Sequence, residues 1–146
     1  MGRMISTIGF SKKSLRHFIS LLKESGVTRL VDTRLHNTSQ LSGFAKKQDL
    51  EYILELVHID YVHCPTLAPT DDILKHYKKK EISWEQYEQD YLKLIKKREI
   101  LPLVKRLMDG EHICLLCSEH ESEHCHRRLL AEYVQESIDD TTIHHL

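Results

Sequence analysis

The chain lacks the long apolar runs and the charge excess that would assign it to several common classes of protein. No apolar stretch approaches the roughly 20 residues that a membrane-spanning helix needs. The formal net charge is −1, so no overall positive field favours non-specific binding to nucleic acid. The first residues lack the apolar core of a signal peptide, and we therefore expect a cytoplasmic protein. No repeat, low-complexity segment or linker divides the sequence, so residues 1–146 predict a single domain.

Short apolar stretches with the character of strands alternate with helical patterns along most of the chain. The expected strands are residues 4–8, 28–31, 59–63, 112–117 and 141–146. Between them, apolar residues recur at helical spacing, as in Leu15, Phe18, Ile19 and Leu22. This alternation predicts an α/β fold of the Rossmann-like three-layer kind, in which helices cover both faces of a mostly parallel sheet of about five strands.

Three connections differ from the regular alternation. Residues 35–45 are polar and without a period, and residues 64–70 contain two prolines, so both predict loops. The connection at about residues 70–110 is the longest, and its pattern predicts a helical insertion with a helix beginning at Ser83. An insertion of this kind is suited to form a lid or one wall of a cleft.

Polar side chains follow the predicted strands at the points where the strands end. They are Ser11 after the first strand, Asp32 and Arg34 after the second, His63 and Cys64 after the third, and Cys117, Ser118 and Glu119 after the fourth. The start of the last predicted helix adds Cys125, His126 and Arg127. Because the carboxyl ends of parallel strands share one edge of the sheet, we expect these side chains to form one ligand site.

Anion binding is the first role that these residue types indicate. Arg34 and Arg127 carry guanidinium groups that bind phosphate or carboxylate in a bidentate way, and helix N-termini near Ser11 and Ser122 would assist them. Ser11 is equally suited to capping its helix, as is Ser14. For Arg34, an internal salt bridge with Asp32 is the alternative to ligand binding.

Catalysis is the second role. Cys117 is a candidate nucleophile, Glu119 or Asp32 a general acid or base, and His126 a proton-transfer partner. Cys125 lies in the first turn of the last helix, whose dipole favours a thiolate that contacts substrate. The structural alternative is that Arg127 pairs with Glu119 and fastens the loop to the helix, while the cysteines are small buried side chains.

The four cysteines are expected to be free thiols, catalytic groups or ligands rather than disulfides, since the protein is expected in the cytoplasm. Cys114 and Cys117 have CxxC spacing, but an odd offset on a strand places them on opposite faces. Potential zinc ligands cluster nearby, and they are Cys117, Glu119, His120, His124, Cys125 and His126. Their spacing fits no established zinc motif, so we predict no metal and no cofactor. Nine residues separate Cys117 from Arg127, which excludes the five-residue phosphate loop of cysteine phosphatases.

An aromatic stripe of Trp84, Tyr87 and Tyr91 lies between the basic runs 78–80 and 96–98. Aromatic rings between basic clusters are typical of nucleic-acid-binding surfaces. The helical spacing of the three rings favours packing in the core instead, with the lysines on a solvated face.

Several of these segments resemble the motifs of a known family. Residues 7–11 (TIGFS) are similar to its opening TIGxS motif, and residues 31–34 (VDTR) to its VDxR motif. Residues 115–119 (LLCSE), followed by residues 125–127 (CHR), resemble its LLCxE…CHR signature, and residues 143–146 resemble its closing strand. On these motifs the chain is identified as a member of the domain of unknown function 488 family.

The resemblance implies a small α/β domain, found mainly in prokaryotes, with no activity that can be transferred. The recurring polar positions of the family correspond to Ser11, Asp32, Arg34, Cys117, Glu119, Cys125, His126 and Arg127. One segment differs, because many members have Leu-Pro-x-Leu-Gly where this chain has CPTLA at residues 64–68. A substrate contact shared through that loop is therefore not implied.

Together these observations lead to a functional hypothesis with open alternatives. The hypothesis is an enzyme that acts on a phosphate-bearing small molecule or a nucleic-acid component at the carboxyl edge of the sheet. The first alternative is a non-catalytic nucleic-acid-binding or regulatory module, in which the Cys-His-Arg cluster only fastens the fold. The second is a metal-dependent hydrolase. No membrane partner is expected, and the sequence does not indicate the oligomeric state.

Overall fold

Five parallel strands form one sheet in the part of the chain that the structure describes. The structure is a computed structural model that describes residues 2–37, 40–118 and 124–146, with the backbone alone for residues 40–42. The strands are β1 (Arg3–Gly9), β2 (Arg29–Asp32), β3 (Asp60–His63), β4 (Ile113–Cys117) and β5 (Thr141–His145). Their order is β3-β2-β4-β1-β5, and each neighbouring pair is parallel. The predicted α/β class with about five mostly parallel strands is confirmed.

Helices connect these strands and cover both faces of the sheet. They are α1 (Leu15–Glu24), α2 (Lys47–Leu56), α3 (Asp71–Lys78), α4 (Trp84–Lys97), α5 (Leu101–Met108) and α6 (His126–Ser137). The hydroxyls of Ser14, Thr70 and Ser83 cap α1, α3 and α4 by accepting from backbone N–H groups. Cys125 is the N-cap residue of α6, while Ser122, the expected cap, lies outside the described residues. None of the helices in the described ranges is long and apolar enough to cross a membrane.

The two predicted loops each contain a short 3₁₀ segment, at Gln40–Ala45 and Pro65–Leu67. In the second, Leu67 N donates to Cys64 O and Ala68 N to Pro65 O, both at 3.0 Å. Such i→i+3 turns need only local hydrogen bonds. A proline is tolerated at their first position, because an N–H group there would have no partner within the turn. The prediction of loops was therefore wrong in these two short stretches.

The central strand β4 is buried along its whole length and contributes to both hydrophobic layers. Ile113 and Leu115 pack in the layer that contains residues of α4, α5 and α6. Cys114 and Leu116 pack in the opposite layer with residues of α1 and α2. This alternation confirms that Cys114 and Cys117, three positions apart, point to opposite faces of the sheet.

The chain order creates a crevice between β2 and β4. The connection that follows β2 leads to β3 on one side, whereas the connection that follows β4 leads past β1 to β5 on the other side. Ligands of open α/β sheets bind outside the carboxyl ends of strands at such a switch point. The polar segments after β2 and β4 lie at this place.

Candidate ligand-binding site

Asp32 and Arg34, at the end of β2, form a buried ion pair. Asp32 is fully buried and Arg34 is 4% exposed. The Nε and Nη2 atoms of Arg34 donate to the two carboxylate oxygens of Asp32, each at 2.8 Å. Nη2 also donates to the Ala45 carbonyl at 2.6 Å. The offset of two residues at a strand end therefore brings the two side chains together, in the internal salt bridge that was the alternative interpretation of the pair.

Two residues that the sequence analysis missed complete the surroundings of Asp32. The Tyr61 hydroxyl donates to Asp32 Oδ2 at 2.6 Å, and Asn37 Nδ2 donates to the same oxygen at 3.2 Å. Burial alone would raise the pKa of Asp32, but the hydrogen bonds and charge of Arg34 and the Tyr61 hydroxyl outweigh it and lower that pKa. The carboxylate is thus ionised and saturated with donors, which suits a positioning role. No local pattern identifies Tyr61 or Asn37, because they meet Asp32 only through the tertiary fold.

One nitrogen of the Arg34 guanidinium has no partner among the described residues. Nη1 is buried and makes no hydrogen bond to the described residues. The guanidinium also lies over the Phe10 ring at 5.2 Å, and His63 Nε2 is 2.8 Å from the Arg34 carbonyl, so main chain and side chain are both held. Buried polar nitrogens are nearly always paired, so this exception marks a position that a ligand or a water can complete.

Cys117 and Cys125 are joined in a disulfide, which links the end of β4 to the start of α6. This differs from the expectation that the cysteines are free thiols. The reason is tertiary: the two residues are eight positions apart in the chain, and the fold places the start of α6 next to the end of β4. Cys64 and Cys114 are free and buried, as expected for small apolar side chains.

Arg127 lies beneath this pair at 1% exposure. Its Nη1 atom donates to Cys117 Sγ at 3.3 Å. A guanidinium in this position places positive charge next to sulfur at the first turn of α6. Its predicted partner Glu119 lies outside the described residues, so the predicted Arg127–Glu119 pair and the acid–base role of Glu119 stay predictions.

His126 is a buried, neutral imidazole between the ends of β2 and β4. Its Nε2 atom is 2.9 Å from the Thr33 carbonyl, which only accepts, so Nε2 carries the proton. Burial, with a contribution from the Arg127 charge, lowers the pKa of His126 to about 4. The lone pair is therefore on Nδ1, 4.0 Å from Cys125 Sγ.

A pocket of about 250 Å³ opens at this edge of the sheet. One side is built from the end of β2 and the start of α6, and the other from α3 and α4. Its lining residues are Arg34, Leu35, His36, Pro69, Leu74, Tyr77, Lys78, Tyr87, Ser118, His124, Cys125 and His126. The helical insertion thus supplies one wall of a cleft. This volume lies just below the range of about 300–1,000 Å³ that is typical of small-molecule sites.

Aromatic rings form a continuous cluster along this wall. Trp84 stacks on Tyr87 with ring centroids 4.9 Å apart, and on His124 at 4.8 Å. Tyr77 contacts both Trp84 and Tyr87, at 5.8 and 5.0 Å. Tyr91 and Tyr87 are buried in the core, as the helical stripe predicted. Tyr77, Lys78 and Tyr87 line the pocket, but the sequence analysis did not predict them as site residues. The basic run next to the aromatic stripe was the feature of the sequence that could have indicated them.

Ser11 contacts Ser118, the residue that follows β4. Its backbone N–H donates to the Ser118 carbonyl at 3.1 Å, and its hydroxyl also donates to that carbonyl. Ser14, rather than Ser11, caps α1. Ser11 thus ties the loop after β1 to a lining residue of the pocket, and its predicted contact with an anion stays a prediction.

In the described ranges, no group of three or more His, Cys, Asp or Glu side chains is arranged to hold a metal ion such as zinc. Of the candidate ligands, Glu119 and His120 lie outside those ranges. His124 stacks on Trp84, and Cys117 and Cys125 bind each other.

Comparison with known proteins gives one match. A model of the family described as domain of unknown function DUF488 matches residues 14–134, which is well over half of the chain. No curated protein and no solved structure matches the chain.

Proposed function

We propose that this chain, which belongs to the DUF488 family of unknown function, binds a nucleotide-like phosphate ester in the pocket at the carboxyl edge of its sheet. The observation that carries the proposal is the pairing of an aromatic wall with cationic and unpaired donor groups in one small pocket. Aromatic rings stack on the face of a base, and guanidinium and ammonium groups bind phosphate.

The phosphate end of the ligand would lie near Arg34, His36 and Lys78. Arg34 offers Nη1 as its remaining donor, since Nε and Nη2 are used by Asp32 and Ala45. Lys78, the last residue of α3, is exposed and lines the same pocket. The Asp32 carboxylate neutralises the Arg34 charge, so the contribution of Arg34 would be to orient the phosphate through a hydrogen bond. Lys78 would supply the net positive charge that attracts a dianion.

The ring end of the ligand would lie against Tyr77 and Tyr87. Both line the pocket, and Trp84 stacks on Tyr87 and on His124, which is also a lining residue. Stacking on aromatic side chains contributes about 1–3 kcal/mol per base. A nucleotide should therefore bind more tightly than a sugar phosphate or inorganic phosphate, and a pocket of about 250 Å³ favours a mononucleotide over a larger cofactor.

Binding is supported better than acid–base catalysis. Asp32 is saturated with hydrogen bonds and fully buried, so it has no free lone pair facing a substrate. His126 lines the pocket and its Nδ1 is an acceptor, but a pKa of about 4 makes it a weak base near neutral pH. Its best-supported role is to accept a hydrogen bond from the ligand. Cys117 has no thiolate while it is bonded to Cys125, so its nucleophilic role stays a prediction for the reduced protein, which product analysis of the bound nucleotide would test.

The proposal predicts that a nucleoside monophosphate changes the fluorescence of Trp84, the single tryptophan of the chain. Titration with AMP, GMP, CMP, UMP, ribose 5-phosphate and inorganic phosphate would give Kd values from this signal. We expect at least one nucleotide to bind more tightly than both base-free ligands. Lys78→Gln should weaken that binding about three- to tenfold, or roughly 0.6–1.4 kcal/mol, because one cation is lost from the phosphate site.

Lys79→Gln is the matched control, because Lys79 is the exposed neighbour of Lys78 and does not line the pocket. It should leave Kd unchanged. Equal binding of ribose phosphate and nucleotides would refute the role of the aromatic wall, and equal effects of the two lysine variants would refute the phosphate position. If short oligonucleotides bind more tightly than mononucleotides, the nucleic-acid-binding module is the better description.

A further inference from the structure

The four cysteines divide into two pairs with different surroundings. Cys64 and Cys114 are free, and burial raises the pKa of both thiols, so they are protonated at neutral pH. Cys117 and Cys125 are bonded to each other and lie beside Arg127 and His126. The first pair therefore has only a packing role, whereas the second has neighbours that support sulfur chemistry.

The two sulfurs of the disulfide have different neighbours, a hydrogen-bond donor in one case and an acceptor in the other. Arg127 Nη1 donates to Cys117 Sγ at 3.3 Å, and a guanidinium at this distance stabilises a thiolate. Cys125 Sγ faces the neutral Nδ1 of His126 at 4.0 Å, which is an acceptor. A thiolate that is stabilised leaves a disulfide more readily, so Cys117 is the leaving group when the bond is attacked.

Access to the two sulfurs also differs. Cys125 is among the residues that line the pocket, and Cys117 is not among them. Cys117 lies deeper, as the last residue of a fully buried strand. A reactant that enters the pocket therefore meets Cys125 before Cys117.

From this geometry we propose that Cys117 and Cys125 are a redox-active pair that exchanges with small-molecule or peptide thiols entering through the pocket. The thiolate of such a thiol attacks Cys125 Sγ and forms a mixed disulfide, while the Cys117–Cys125 bond breaks and its electron pair leaves on Cys117. A second thiolate of the same class attacks the sulfur of the first and releases Cys125. The protein disulfide gains two electrons, and the two external thiols lose them and become one disulfide. This proposal does not rest on nucleotide binding, and a nucleotide in the same pocket would compete with the entering thiol.

The test is native redox titration of the full chain in mixtures of reduced and oxidised dithiothreitol, followed by acid quenching, alkylation and peptide mass spectrometry. We expect Cys117 and Cys125 to be linked at the oxidising end and to become alkylated together as the buffer becomes reducing, without unfolding. Cys64 and Cys114 are internal controls, because free thiols are alkylated after the acid quench at every point of the titration. Arg127→Lys should slow reduction several-fold, since a point charge replaces the planar donor group.

Single-cysteine variants test the direction of attack without relying on Arg127. In Cys117→Ser, the remaining Cys125 should form a mixed disulfide rapidly with an aromatic disulfide reagent. In Cys125→Ser, the remaining Cys117 should react many-fold more slowly, because it does not line the pocket. Reduction only after unfolding would make the bond purely structural and overturn the proposal, and so would two free thiols throughout the titration. Equal rates in the two variants would overturn the assignment of Cys125 as the attacked sulfur.

Discussion

Asp32 and His126 are buried titratable side chains at the same sheet edge, and their surroundings give them opposite responses to burial. Asp32 keeps its charge, because Arg34 and Tyr61 supply donors that outweigh the desolvation of the carboxylate. His126 loses its charge, because burial of the imidazole and the nearby Arg127 charge outweigh the hydrogen bond to the Thr33 carbonyl, which favours the charged form. Burying a charge without compensating partners is costly, so the partners decide which form is retained.

The neutral state of His126 predicts a specific pH dependence of stability. Its pKa is about 4 in the folded protein and ordinarily 6.5, so between these values the unfolded chain binds a proton that the folded chain does not. The free energy of unfolding should therefore fall as the pH drops from about 6.5 to 4, by up to about 3 kcal/mol from this residue. Urea unfolding at several pH values would measure the slope.

His126→Gln should flatten that slope, because glutamine keeps a donor for the Thr33 carbonyl and does not titrate. His17→Gln is the control, since His17 is exposed on α1 and should leave the slope unchanged. A slope that is the same in His126→Gln as in the wild type would show that other groups cause the acid sensitivity.

At the scale of elements, α4 carries Trp84 and Tyr87 of the aromatic wall, and Ser83 caps the N-terminus of this helix. The Ser83 hydroxyl accepts from Gln86 N at 3.1 Å, directly before Trp84. Arg128 of α6 lies over the Trp84 ring at 6.0 Å and forms ion pairs with Glu88 and Glu132, so the start of α4 is joined to α6. The first turn of α4 is thus part of the pocket as well as of the core.

Ser83→Ala should lower the free energy of unfolding by about 1 kcal/mol, because the N–H of Gln86 loses its acceptor. We also expect weaker nucleotide binding, since fraying of the first turn moves Trp84 away from His124. Ser83→Asp should preserve both properties, because aspartate is an equally good cap. Circular dichroism and Trp84 fluorescence would measure stability and binding in the two variants, and wild-type stability in Ser83→Ala would contradict the role of the cap.

For the whole molecule, β4 is the element that couples the two hydrophobic layers. Leu115 packs against the layer that contains α4 to α6, and Leu116 against the layer that contains α1 and α2. Both side chains are at most 1% exposed. A strand that is buried on both faces cannot be lost from one layer without disturbing the other.

Leu115→Ala and Leu116→Ala should each lower the free energy of unfolding by about 2–5 kcal/mol through cavity formation. The sharper expectation concerns Leu116→Ala, which lies on the face away from Trp84. The urea concentration at its unfolding midpoint should decrease by the same amount whether unfolding is followed by Trp84 fluorescence or by circular dichroism. A Trp84 transition that stays in place would show that the layers unfold separately. Leu56→Ala, at a side chain that is 60% exposed, should change little and serves as the control.

The amino-acid sequence by itself determined the elements and the edge at which the polar residues meet. Periodicity and capping are local properties, so the five strands, the cap at Ser83 and the insertion between β3 and β4 followed from spacing alone. Membership of the DUF488 family was also evident from short motifs. Because parallel strands end on one edge, Asp32, Arg34 and His126 could be placed together without knowledge of the strand order.

Only the tertiary structure decided what those residues contact. Tyr61 and Asn37 surround Asp32, the rings of α3 and α4 face the start of α6, and Cys125 is bonded to Cys117. These contacts depend on the strand order and on the path of each crossover, which set distances between residues far apart in the chain. The tertiary contacts also determine the chemical state of these residues. Asp32 is ionised, His126 is neutral and the two cysteines are bonded because of partners that the local sequence does not encode.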